Sequence, residues 1–176
     1  MKLNKIEELI EKIVVNELKV PMLLVGTMGI GKSQIIRDTA KRLKINYIDL
    51  RLAQQEAGDL IGLPRDREGK TTWSKPEWFP ESGTKGILVL EEINRAPVDV
   101  RNAVFQLLTE WRMHTHELPL SWTIVAAINH DIGGYQVEPL DPAMIRRFLW
   151  LKVDPDVDLW LKWASRNGID ERMLNA

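Results

Sequence analysis

Apolar residues at Leu3, Ile6, Leu9, Ile10, Ile13 and Val14 recur every three or four positions, with lysine and glutamate between them. That period predicts an amphipathic helix. "KVPMLLVG" is a short continuous apolar run ending in glycine, which predicts a buried strand. The helical period returns from Ser33 to Leu43, and "INYIDLRL" predicts a second strand. After "AGDLIGLP" the polar stretch "RDREGKTTWSKPEWFPESG" predicts a hairpin or a long ordered loop, with its turn at Glu68-Gly69. "GILVL" is a third strand. Val100, Val104, Leu107, Leu108 and Trp111 mark a helix after Pro97, "SWTIVAAIN" is a fourth strand, and a helix near "DPAMIRRF" leads to a last strand, "LWLKV". Leu159, Trp160 and Trp163 predict a closing helix. Strands that alternate with helices imply a mainly parallel sheet covered on both faces.

Composition narrows the function classes. A chain of 176 residues supports one domain and a fragment of a second. With 24 basic against 25 acidic side chains it lacks the basic excess of a dedicated nucleic-acid binder, so nucleic acid is not a favoured partner. The absence of cysteine excludes disulfides, thiolate zinc sites and a cysteine nucleophile. The longest apolar runs fall far short of the roughly 18 residues of a membrane span, and the charged start does not read as a signal peptide. The expectation is a cytoplasmic protein with no membrane partner.

"GTMGIGKS" fits the phosphate-binding pattern G-x-x-x-x-G-K-[ST] and lies between a predicted strand and a predicted helix. Residues Gly26, Thr27, Met28, Gly29, Ile30 and Gly31 would fold back so that their N–H groups point at a phosphate chain. Lys32 would reach the outer phosphates and Ser33 would offer its hydroxyl to magnesium. ATP with Mg2+ is the expected ligand.

"GILVLEEINRAP" ends its apolar run on two adjacent glutamates, at the same edge of the sheet as the glycine loop. Consecutive strand residues face opposite ways, so the pair cannot share one role. A hydrolytic phosphate site needs one carboxylate for magnesium and another to orient the attacking water. Glu91 is assigned to the metal and Glu92 to the water.

With "WTIVAAIN" and "LDPAMIRRFLWLKV" in the same order, the chain resembles the MoxR-type AAA+ ATPases from about Val20 to Trp163. The resemblance implies a fold class of α/β, a three-layer P-loop NTPase with a five-stranded parallel sheet flanked by helices. In it the strand ending at Asn129 lies between those ending at Gly26 and Glu91. It further implies that Asn129 takes the sensor-1 position near the γ-phosphate, and that an arginine finger acts on the neighbouring subunit. Arg147, directly before Phe148, matches the finger better than Arg146. A hexameric ring of the intact protein that remodels or assembles a partner, often one with a von Willebrand A domain, follows from the family. Residues 1–155 would form the ATPase core and 156–176 the start of a helical lid.

The chain departs from the family at Glu91, where aspartate is usual, and in reading "TMGIGKS" in place of "PPGTGKT". No sensor-2 arginine is assigned. Two other functions fit the phosphate loop alone, a small-molecule kinase and a nucleotide-gated binding module that does not hydrolyse. The kinase would not require Asn129, the "RRF" pair or self-association. His114 and His116 suggest two imidazoles on one strand face, but without a third ligand a surface hairpin is the better reading. Trp160 and Trp163 are expected on an apolar face that a lid would cover.

Overall fold

The computed structural model describes residues 1–129, 139–166 and 168, with the backbone alone at 166. Helix α1 (Leu3–Val15) precedes β1 (Met22–Gly26), α2 (Lys32–Leu43) and β2 (Asn46–Arg51). A short α3 (Ala57–Ile61) and a hairpin of β3 (Pro64–Arg67) and β4 (Lys70–Trp73) come next, followed by β5 (Gly86–Glu91) and α4 (Val98–Glu110). A second small hairpin, β6 (Arg112–Met113) and β7 (His116–Glu117), leads into β8 (Trp122–Asn129). The described chain ends with α5 (Pro142–Ile145), β9 (Leu149–Lys152) and α6 (Val157–Arg166). Residues 130–138, which follow Asn129, and the tail of the expected lid lie outside the described residues.

The main sheet has five parallel strands in the order β2-β5-β8-β1-β9. Strand β8 separates β1 from β5, so the order implied by the family resemblance is the one found. The two faces sort by the period of two expected of strands. Leu24, Val89, Val125 and Leu151 pack under Ile6, Ile10 and Ile13 of α1 and Ile36 and Ala40 of α2. Leu23, Leu88, Leu90, Ile124 and Ala126 pack under Val100, Val104 and Leu107 of α4. Central strands buried on both sides explain why their sequences are continuously apolar. Each fully buried Leu or Ile contributes roughly 1.5–3 kcal/mol, so this double core holds the strand ends rigidly enough to carry a site.

The Glu68-Gly69 turn does close a hairpin, with Arg67 paired to Lys70 and the Asp66 carboxylate accepting from the Gly69 N–H. His114 and His116 lie at a hairpin, as expected. Their rings pack on Trp73 and Phe79, at 4.2 and 5.8 Å between centroids. Among the described residues no three His, Cys, Asp or Glu side chains are grouped to hold a metal. No helix among them is long and apolar enough to cross a membrane.

Candidate nucleotide site

Gly26 ends β1 and Asn129 ends β8 directly beside it in register. The loop between β1 and α2 turns at Gly31, whose φ of 91° lies in the left-handed region that favours glycine. Gly26 is held for a different reason. A Cβ there would stand 2.8 Å from the carbonyl oxygen of Val153, the residue after β9, and 2.6 Å from Ile30 Cδ1. The crest of the loop is open, and Met28 is 82% exposed.

Lys32, buried at the start of α2, gives one proton each to the carbonyls of Gly26 (3.0 Å) and Thr27 (2.7 Å) and to Asn129 Oδ1 (2.8 Å). An ammonium has three protons, so all are engaged by the loop and Asn129. Burial lowers the Lys32 pKa and the charge of Glu91 opposes that shift. Asn129 is thereby tied to the phosphate loop by its side chain as well as its strand.

Glu91 is the last residue of β5 and lies beside α2, with the Ser33 hydroxyl near enough to influence its carboxylate. Burial pushes its pKa up, Ser33 pulls it down, and the nearby Asp49 pushes it up again. Its Oε1 is buried without a hydrogen-bond partner. A hydroxyl and a half-buried carboxylate with an unused oxygen suit a hard divalent cation that keeps part of its water shell. Ser33 and Glu91 are therefore the residues that fit magnesium.

Glu92 corrects the reasoning from strand alternation. It has left the strand and sits in the left-handed region at φ 56°, with its N–H donating to the Ala127 carbonyl at 3.0 Å. The reversal of the chain turns its side chain back, so Glu91 and Glu92 both line one cleft and do not face opposite sides of the sheet. Arg95 Nη1 lies 3.5 Å from Glu92 Oε1.

That cleft measures about 1220 Å3 and joins the phosphate loop, Ser33, Glu91, Glu92 and Asn129. Two of its walls were not read from the sequence. Leu3, Asn4 and Glu7 of α1 form one, and Leu159, Trp160 and Trp163 of α6 form another. Both tryptophans border the cleft, and Trp160 is 44% exposed. Arg37, Asp49 and Arg51 also line it. Arg37 stands over the Tyr47 ring at 5.3 Å and 3.5 Å from Asp49 Oδ2, while burial raises the Tyr47 pKa to about 12. The signal for Asp49 and Arg51 was present in "IDLRL", two charges on one face at the C-terminal end of a strand.

Arg146 and Arg147 are exposed and lie elsewhere. They precede Leu149, which pairs with Met22 at the opposite end of β1 from Gly26. Four strand positions amount to about 13 Å, so this pair does not belong to the cleft of its own chain. Arg147 lies over the Phe105 ring at 5.2 Å and donates to the Ala143 carbonyl at 3.2 Å.

Comparison with known proteins agrees with the geometry. The family described as AAA domain (dynein-related subfamily) matches residues 21–148. The chain belongs to this AAA family. Its match spans the glycine loop, both glutamates, Asn129 and the arginine pair. The crystal structure of a putative ATPase from Cytophaga hutchinsonii superposes on this AAA domain with a TM-score of 0.69 at 19% identity, over 92% of this chain. At that identity the likeness shows the fold. The AAA chain spans 50% of the length of that protein. No curated protein sequence matches it significantly.

Proposed function

We propose that the chain binds ATP with magnesium and hydrolyses it, in the manner of the MoxR-type ATPases it resembles, as a subunit of an oligomer that remodels or assembles a partner protein. The observation that carries this reading is the convergence of Lys32, Ser33, Glu91, Glu92 and Asn129 on one cleft.

Each residue then has a task that its surroundings allow. The loop N–H groups and Lys32 bind the phosphate chain, with Lys32 exchanging carbonyl partners for phosphate oxygens. Ser33 and Glu91 would hold magnesium, which supplies charge neutralisation on the transferring group. Glu92 orients and polarises the attacking water, and Asn129 fixes that water on its second side. The developing charge calls for a further cation. Arg147 supplies it from a neighbouring subunit, a reading supported by its position at the far edge of its own sheet. Arg146 remains the reserve. A closed ring, by analogy a hexamer, satisfies every such site at once. The client, a von Willebrand A domain protein among the candidates, is inferred from the family alone.

A small-molecule kinase would turn over as a monomer. Light scattering with and without ATP and magnesium, paired with phosphate release over a protein concentration series, tests the proposal. Specific activity should rise with concentration as the mass rises. Constant specific activity in a monomer overturns the oligomeric mechanism.

A further inference from the structure

The cleft is lined by more carboxylates than cations, although its ligand is a polyanion. Six acidic side chains border it against four basic ones. Of those four, Lys32 is engaged at all three protons and Arg37 is engaged with Tyr47 and Asp49. Lys162 stands on α6. Of the two that remain, Arg51 is the one beside Glu91, at the metal end of the cleft.

Arg51 closes β2 in register with Glu91 of β5, so the two side chains leave neighbouring strands on the same face. Adjacent strands are about 4.8 Å apart, well within the span of an arginine side chain. Both carboxylates closest in the strand register have an oxygen to spare. Asp49 takes Arg37 through Oδ2 and leaves Oδ1 without a partner, and Glu91 Oε1 is also buried without one. Arg51 is exposed and, among the described residues, has no hydrogen-bonded, ionic or ring partner for its guanidinium. An arginine held solely for structure would be expected to use its five donors on such neighbours.

We propose that Arg51 contacts the γ-phosphate of ATP bound in its own subunit, and so distinguishes ATP from ADP. This deepens the nucleotide reading above and rests on it. The terminal phosphate lies toward Ser33 and Glu91, the residues that fit the metal, and Arg51 approaches that point from the side opposite the glycine loop. Its planar fork suits two phosphate oxygens, and its weak hydration lets it desolvate at modest cost. The contact is made to a group that ADP lacks. Arg51 therefore sets selectivity between the two nucleotides, a quantity that general support of the fold leaves unchanged.

The test measures the affinities of the full chain for ATP and for ADP, both with magnesium, by calorimetry in dilute protein. Wild type, R51A, R51Q and R51K are compared. R51A and R51Q should weaken ATP about ten- to hundredfold, as expected for a charge-assisted contact, while ADP affinity stays within about twofold. R51K, which keeps the charge and loses the fork, should fall between. Equal losses for ATP and ADP would assign Arg51 a structural part and overturn the proposal. So would unchanged binding of both nucleotides with altered hydrolysis, which would mean that Arg51 acts on the neighbouring glutamates. If the wild type binds both nucleotides, only the Arg51 inference is at stake in these outcomes. If it binds neither, the nucleotide reading falls and this inference with it.

Discussion

Lys32 Nζ donates to Asn129 Oδ1 at 2.8 Å, joining the phosphate loop to the end of the strand beside it. A phosphate oxygen that takes a proton from Lys32 competes with that acceptor, so phosphate binding and the orientation of Asn129 are linked through one bond. Asn129→Ala removes the competitor. ATP affinity should hold or rise a few-fold, about the worth of one hydrogen bond, while hydrolysis is lost. Lys32→Ala should do the reverse to binding, weakening ATP by about ten- to hundredfold. Calorimetry on both variants, with single-turnover phosphate release, distinguishes them. Wild-type ATP affinity in Lys32→Ala would remove the site from this cleft.

Much of this arrangement was legible before the structure, because buried parallel strands write themselves as "MLLVG", "GILVL" and "TIVAAIN" and their ends share one edge. The glycine loop and the strand-end acids follow from that edge. What was not legible depended on backbone geometry or on side chains far apart in the chain. Glu92 adopts φ 56°, a conformation that non-glycine residues seldom use and that no sequence period announces. The walls built by Leu3 and Trp163 come from opposite ends of the chain, and only the docking of α1 and α6 brings them to the loop. Asp49 and Arg51 were readable but lay outside any motif.

The two glutamates still separate by function even though they line one cleft. Glu92→Gln keeps shape and hydrogen-bonding capacity and loses basicity, so nucleotide binding should persist while hydrolysis falls about a hundredfold or more. Glu91→Gln should instead weaken the dependence of ATP binding on magnesium, since a hard cation prefers anionic oxygen. Glu91→Asp restores the usual residue of the resembling family and should retain function. Titrations of ATP at several magnesium concentrations decide between them. Magnesium-dependent binding that survives Glu91→Gln and fails in Glu92→Gln would mean that the assignments are reversed.

Arg147 offers a test of action between subunits. It is exposed, and its stacking on Phe105 at 5.2 Å contributes less than about 1 kcal/mol at such a site. Arg147→Ala should therefore fold and bind nucleotide as the isolated subunit does. Hydrolysis by the assembled protein should fall by about a thousandfold, the lower end for loss of an arginine finger. Mixing Arg147→Ala with Lys32→Ala adds a sharper reading, because each variant would lack what the other retains. Recovery of activity on mixing indicates a finger supplied from the neighbour. Loss of nucleotide binding by dilute Arg147→Ala would place that arginine in its own site.

The pH dependence of stability follows from Glu91. Burial, the largest influence, raises its pKa above the ordinary 4.5. Between that value and the raised one the folded chain holds a proton that the unfolded chain has released, so stability from this group declines as pH rises through that interval. Above the interval the cost of the buried charge is constant. Below it, both states carry the proton and the cost vanishes. Glu91→Gln removes the charge at every pH, and it should raise the midpoint of thermal unfolding without nucleotide at pH 7. The gain over wild type should shrink as pH falls toward 4.5. The charge of Lys32 favours the ionised Glu91, so the loss of that attraction in Glu91→Gln offsets part of the gain. Melting curves of both proteins from pH 4 to 7, without magnesium, measure the difference directly. A difference that does not grow with pH would show that burial does not govern the Glu91 carboxylate.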